Sequence, residues 1–145
     1  MITALLLAAP LLAADRPPRV TDDDPHERAV SRLGKGKFLV ASRSLADPNF
    51  AETVILLVDY DRNGALGVIV NRPTAVALTD ALPELEELRS RKDVLYLGGP
   101  VGRDRMLLLV RTANQPPQSL RVFDRVFASG SLDAVRRSMQ RGEPI

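Results

Sequence analysis

The spacing Asp59-x-Asp61-x-Asn63-Gly64 puts three oxygen-bearing side chains at alternate positions, followed by a glycine that permits a sharp turn. A calcium-binding EF-hand loop opens this way, because alternate carboxylates can converge on a hard cation. The bidentate Glu of such a loop would fall at position 70, where Val70 stands, and the flanks read as strands. The expectation is a polar hairpin turn. Gly34-Lys35-Gly36-Lys37 bears a faint likeness to a phosphate-binding loop but lacks the full GxxxxGK[ST] spacing, a preceding strand and a following helix, so it reads as linker. Two other motifs suit an anionic ligand better. Gly98-Gly99-Pro100 follows a strand, and its backbone could form an anion-binding nest with Arg103 and Arg105 nearby. Asn71-Arg72-Pro73 ends a strand, where Arg72 could hold a carboxylate or phosphate bidentately. Each has a structural alternative. The glycines could serve a tight turn, Asn71 could hydrogen-bond a neighbouring loop, and Arg72 could pair with a nearby acid. The candidate ligand site is therefore Asn71, Arg72, Gly98, Gly99, Arg103 and Arg105.

Much chemistry is excluded. With no Cys, thiolate catalysis, Cys-ligated zinc and iron–sulfur clusters are impossible. His26 is the single histidine and lies far from every other motif, so no mechanism can use two. Ser42, Ser44 and Thr53 have no His or Lys partner in sequence that would make a nucleophile. Asp47, Asp59, Asp61 and Asp104 leave open an Asp-dependent hydrolase with a cleft near 71–73 and 98–105. No catalytic residue is assigned, and no motif calls for a metal or cofactor. Net charge is +2, from 20 Lys and Arg against 18 Asp and Glu. Spread evenly, that attracts phosphate weakly, and clustering on one face decides the matter. Arg136, Arg137 and Arg141 offer a modest basic patch for nucleic-acid binding without sequence preference.

The elements that must position these residues occupy 145 residues, enough for one domain, of which 45% are apolar. Residues 1–14 are an uncharged apolar leader, too short to span a bilayer and similar to the core of a secretory signal. Export to the periplasm follows if it is one. Residues 15–36 read as linker, with Pro17, Pro18, Pro25 and the acidic run Asp22-Asp23-Asp24. Strands are expected at 38–42 (buried), 53–60 (covered on both faces) and 65–71 (ended by Pro73). Asn63-Gly64 is the hairpin signal between the last two, and it sets Tyr60 opposite Gly67. A helix follows from near residue 80, with Thr79 as N-cap, Pro83 in its first turn and Leu82, Leu85 and Leu88 as its apolar face. Further strands read at 94–98, 105–112 and 119–129, the last interrupted at Asp124, and a final helix at 132–141 is capped by Ser131. Phe38, Phe123 and Phe127 are expected to fill the core. Clustered strands with two helices give an α+β class.

FLVAS, DPNFAETVILLVD, GALGVIVNRP and YLGGPV, in this order, resemble the AlgH/YqgE family of bacterial proteins over residues 36 to 145. The resemblance implies a mixed, partly open, barrel-like sheet with two or more helices, and a cytoplasmic setting. Transcriptional regulation is the role usually attached to the family, with no established catalytic residue or cofactor. It also implies His where Tyr60 and Arg111 stand, so a mechanism needing either His cannot operate here. It further implies another strand and a Gly/Trp-rich turn after this point, so the C-terminal part of the domain is expected to be missing. A missing strand would leave a sheet edge for self-association or partner pairing. The resulting reading is a non-enzymatic binding or regulatory module for a protein or a small anionic ligand. A nucleic-acid-binding regulator and an Asp-dependent hydrolase are the alternatives.

Overall fold

A computed structural model describes residues 32–102 and 104–140. The leader, most of the expected linker, Arg103 and Arg141 lie outside the described residues. Eight strands are present among the described residues: β1 (Phe38–Val40), β2 (Val54–Asp61), β3 (Gly64–Ile69), β4 (Pro73–Ala77), β5 (Val94–Tyr96), β6 (Leu108–Arg111), β7 (Leu120–Phe123) and β8 (Val126–Ser129). Two helices, α1 (Leu78–Ala81) and α2 (Leu132–Gln140), and a 3-10 turn at Glu86–Leu88 complete the chain order. The class is α+β, as expected. The sheets stay open, in the orders β1-β2-β3, β4-β5 and β6-β8-β7, and every pair is antiparallel.

β2 carries Leu56, Leu57 and Val58 in succession, all buried, because it is covered on both faces. Leu56 and Val58 pack with Val122 and Ala128 of the third sheet. Gly36 makes a close approach possible here: its φ is +80°, and a Cβ would lie 2.9 Å from the Val122 carbonyl oxygen. α2 covers the other part of the third sheet. Val135 packs on Val110 and on Phe127, which is 0% exposed, and Met139 reaches the Leu82–Leu85–Leu88 cluster as well. Ser131 caps α2 as expected, accepting the Ala134 N–H at 3.3 Å.

Several local expectations are corrected. The β2–β3 hairpin forms, but Asp61 pairs with Gly64, so its loop is Arg62-Asn63. Tyr60 therefore faces Ala65, while Gly67 faces Leu57 across a bulge. Gly67 is instead crossed by Ile55, whose Cγ2 would lie 2.6 Å from an added Cβ. Pro73 begins β4 rather than only ending β3, which is allowed because a first strand residue need not donate. The expected helix from residue 80 breaks into α1 and the 3-10 turn. α1 starts at Leu78 with Ala77 at its N-cap and ends before Pro83, whose ring cannot continue it. Thr79 thus lies inside α1, yet the three leucines still form the expected apolar cluster. The 119–129 stretch is a hairpin, β7–β8, turning at Asp124 with φ +40°. Phe127 fills the core, but Phe38 is 52% exposed and only touches Phe123 edge-on at 6.3 Å between ring centroids. β1 is not buried: all three of its residues are exposed.

Candidate functional site

Asp47 starts the site. Asp47-Pro48 favours a turn, and the Asp47 carboxylate accepts the Asn49 N–H at 2.8 Å. The Asp47 carbonyl accepts the N–H groups of Phe50 and Ala51. This turn would still leave its later carbonyls unpaired, and the Asn71-Arg72 pair satisfies them. Asn71 acts as a backbone mimic. Its Oδ1 accepts the Val54 N–H at 2.8 Å, and its Nδ2 donates to the Glu52 carbonyl at 2.9 Å. Arg72 donates from one guanidinium nitrogen to the Asn49 carbonyl at 3.0 Å and from another to the Ala51 carbonyl at 3.1 Å. Four hydrogen bonds from two adjacent residues thus brace residues 49–54, and they offset the strain at Glu52, whose φ is +58°. Asn71 bonds a neighbouring loop, as its structural alternative holds. Arg72 faces carbonyl oxygens rather than an acid.

The brace shapes a hollow. Phe50 and the fully buried Thr53 form one wall, and Thr53 Oγ1 donates to the Phe50 carbonyl at 2.7 Å. Leu39, Val40, Leu45 and Ile55 complete an apolar depression of about 280 Å³ beside β1. A second, smaller hollow of about 40 Å³ shares Phe50 and Ile55 with it and is closed by Gly99, Pro100 and Val101. The two sequence motifs meet because β4 and β5 pair: Pro73 faces Tyr96, and the Leu97 N–H donates to the Arg72 carbonyl at 2.9 Å. Asn71, Arg72, Gly98 and Gly99 are therefore neighbours. Neither Gly98 nor Gly99 takes a positive φ, and a Cβ at either would meet nothing within 4 Å. Arg105 is exposed, and its backbone N–H donates to the Gly102 carbonyl at 2.9 Å. From sequence, Phe50 carries no site reading, and Thr53 is weighed only as a nucleophile without a partner. The signal available was the apolar Phe50 closing the Asp-Pro turn.

The remaining candidates lie elsewhere. Asp61 accepts the backbone N–H of Asn63 at 2.7 Å and its side-chain amide at 3.1 Å, so its carboxylate holds the hairpin. No cluster of three His, Cys, Asp or Glu suited to a metal occurs among the described residues. Gly34 to Lys37 form a turn into β1, with the Lys37 N–H on the Gly34 carbonyl and the Gly36 N–H on the Leu57 carbonyl. Arg136 of α2 donates to the Glu84 carbonyl at 3.1 Å and lies 3.7 Å from Asp133. Beside it, the Glu87 carboxyl is held below its ordinary range by its own backbone N–H, then by Gln140 and Arg136. No helix among the described residues is long and apolar enough to cross a membrane.

This arrangement can be set against known proteins. The family model for AlgH-like proteins matches residues 38–144. A protein of Rhodococcus opacus, called UPF0301 protein, is 40% identical over 98 residues, which are 64% of this chain and 49% of the relative. One of the same name from Chromohalobacter salexigens is 40% identical over 107 residues, covering 70% of this chain and 58% of its own. The chain thus spans about half the length of the curated relatives it matches. The solution structure of the AlgH protein from Pseudomonas aeruginosa superposes with a TM-score of 0.52 at 33% identity, covering 72% of this chain and 57% of that one. A crystal structure of protein DIP2367 from Corynebacterium diphtheriae, at 24% identity and TM-score 0.56, shares the fold. None of these names states an activity. By its fold, its motifs and its match over most of its length, the chain belongs to the AlgH-like family.

Proposed function

We propose that the chain is a binding module whose site is the apolar hollow beside β1. One observation carries this reading: a segment whose apolar residues Phe50, Ala51 and Val54 are only half-buried is nevertheless fixed by four hydrogen bonds to the side chains of Asn71 and Arg72. Pre-ordering a concave apolar surface lowers the entropy lost when a ligand docks. Asn71 and Arg72 serve the site as braces behind the wall, and Gly99 lines its extension. An uncharged apolar dye such as Nile red tests the reading. The dye gains fluorescence with the native chain, and Leu45→Asp, an exposed position on the rim, removes that gain without lowering the melting temperature. An equal gain from both chains would refute it.

A further inference from the structure

The polar edge next to the hollow narrows what it takes. Leu57 donates its N–H to the Lys37 carbonyl, and Ala41 donates to the Thr53 carbonyl. Odd-numbered residues of this antiparallel ladder therefore bond to β2, and Phe38 and Val40 aim their N–H and C=O groups away from it. Val40 is 73% exposed. From Arg32 to Leu45 the chain carries Arg32, Lys35, Lys37 and Arg43 and no carboxylate. That is a local basic stripe in a chain of net charge only +2. Leu39 shares its face with Ile55, its cross-strand partner, and both line the hollow.

From these three features we infer that the edge captures an extended peptide segment with an apolar centre and acidic flanks, resting on the binding reading above. The segment adds antiparallel to β1, exchanging backbone hydrogen bonds with Phe38 and Val40. Its residue opposite Leu39 sends an apolar side chain into the hollow, since side chains at one register position share a face. Asp or Glu on either side meets Lys35 and Lys37 at one end and Arg43 at the other. A second copy of this chain fits less well. Two-fold pairing of β1 about Leu39 sets Lys35 of one copy against Arg43 of the other, and like charges facing each other across strands repel.

The test uses the full chain and a peptide with a Val-Leu-Val centre, two acidic residues at each end and one terminal Trp. The chain has no Trp, so the peptide's fluorescence anisotropy is read without background. The acidic peptide should bind at least about tenfold more tightly than the same peptide with Lys flanks, a difference of about 1.4 kcal/mol. N-methylation of the two residues opposite Phe38 and Val40 should abolish binding. Arg43→Glu with Lys35→Glu, both exposed, should reverse the preference between flanks. Equal binding of both peptides, or binding that survives N-methylation, overturns the proposal. If Nile red still reports the hollow, the binding reading stands without it. A concentration-dependent dimer that Val40→Pro dissolves would make a second copy the occupant and also overturn it.

Discussion

The α2 side of the molecule and the β1 side solve opposite problems. Around α2, order comes from burial: Phe127, Val135 and the three leucines exclude water, and the elements around them follow from packing. Around β1, order comes from directed hydrogen bonds, while Phe38, Leu39 and Val40 stay in water. The difference separates what holds the fold from what the fold displays. A chain that merely needed to close the 42–53 connection could leave it loose, because longer loops are tolerated at small cost. Here the connection is fixed from behind by residues 17 to 23 positions away in sequence.

The comparison can be broken most forcefully at Phe127. Phe127→Ala should cost about 3–5 kcal/mol, because a fully buried ring leaves a cavity beside Val110 and Val135. Denaturant unfolding measures this, and a loss under about 1 kcal/mol would mean that burial does not hold this side. Next in size, Arg72→Ala should cost about 2 kcal/mol, since it removes two hydrogen bonds from a charged donor. Its sharper consequence is local: the Phe50–Val54 amides should exchange faster while those of β8 do not. Exchange rising evenly across the chain would place Arg72 with the core instead. Gly67→Ala should cost about 1–2 kcal/mol through the Ile55 methyl it meets at 2.6 Å, and Ile55→Ala in the same chain should relieve the clash. Non-additive unfolding energies in that double-mutant cycle check the contact.

The smallest effect concerns pH. The Glu87 carboxyl is lowered in the folded chain, chiefly by its own backbone N–H and then by Gln140 and Arg136. Its contribution is therefore present above the unfolded carboxyl pKa and is lost as pH falls through the lowered folded value. Glu87→Gln should lower the neutral melting temperature slightly, leave the acid melting temperature nearly unchanged, and so flatten the acid limb between them. An unchanged acid limb would remove Glu87 from the contact between the 3-10 turn and α2.

What the sequence made legible was local. β2, β3, β5, β6 and α2 lie within contiguous apolar or amphipathic runs, and the Asn63-Gly64 and Asp47-Pro48 signals act within a few residues. Exposure of β1 was not legible, because an apolar run states what would gain from burial and not whether a neighbour arrives. β4 was hidden by Pro73, which marks a strand end as readily as a strand start. At the site, Asn71 could be read as a loop anchor from its type and place. The Arg72 partners could not, since carbonyl acceptors leave no trace in side-chain identity.

Amide exchange at the two edge residues tests the central claim most directly. In the chain alone, the Phe38 and Val40 amides should exchange within the dead time while the Ala41 and Leu57 amides, bonded within the sheet, are protected. Saturation with the acid-flanked peptide should slow Phe38 and Val40 and leave Ala41 and Leu57 as they were. Protection of Phe38 and Val40 without peptide, or fast exchange in its presence, would contradict the account.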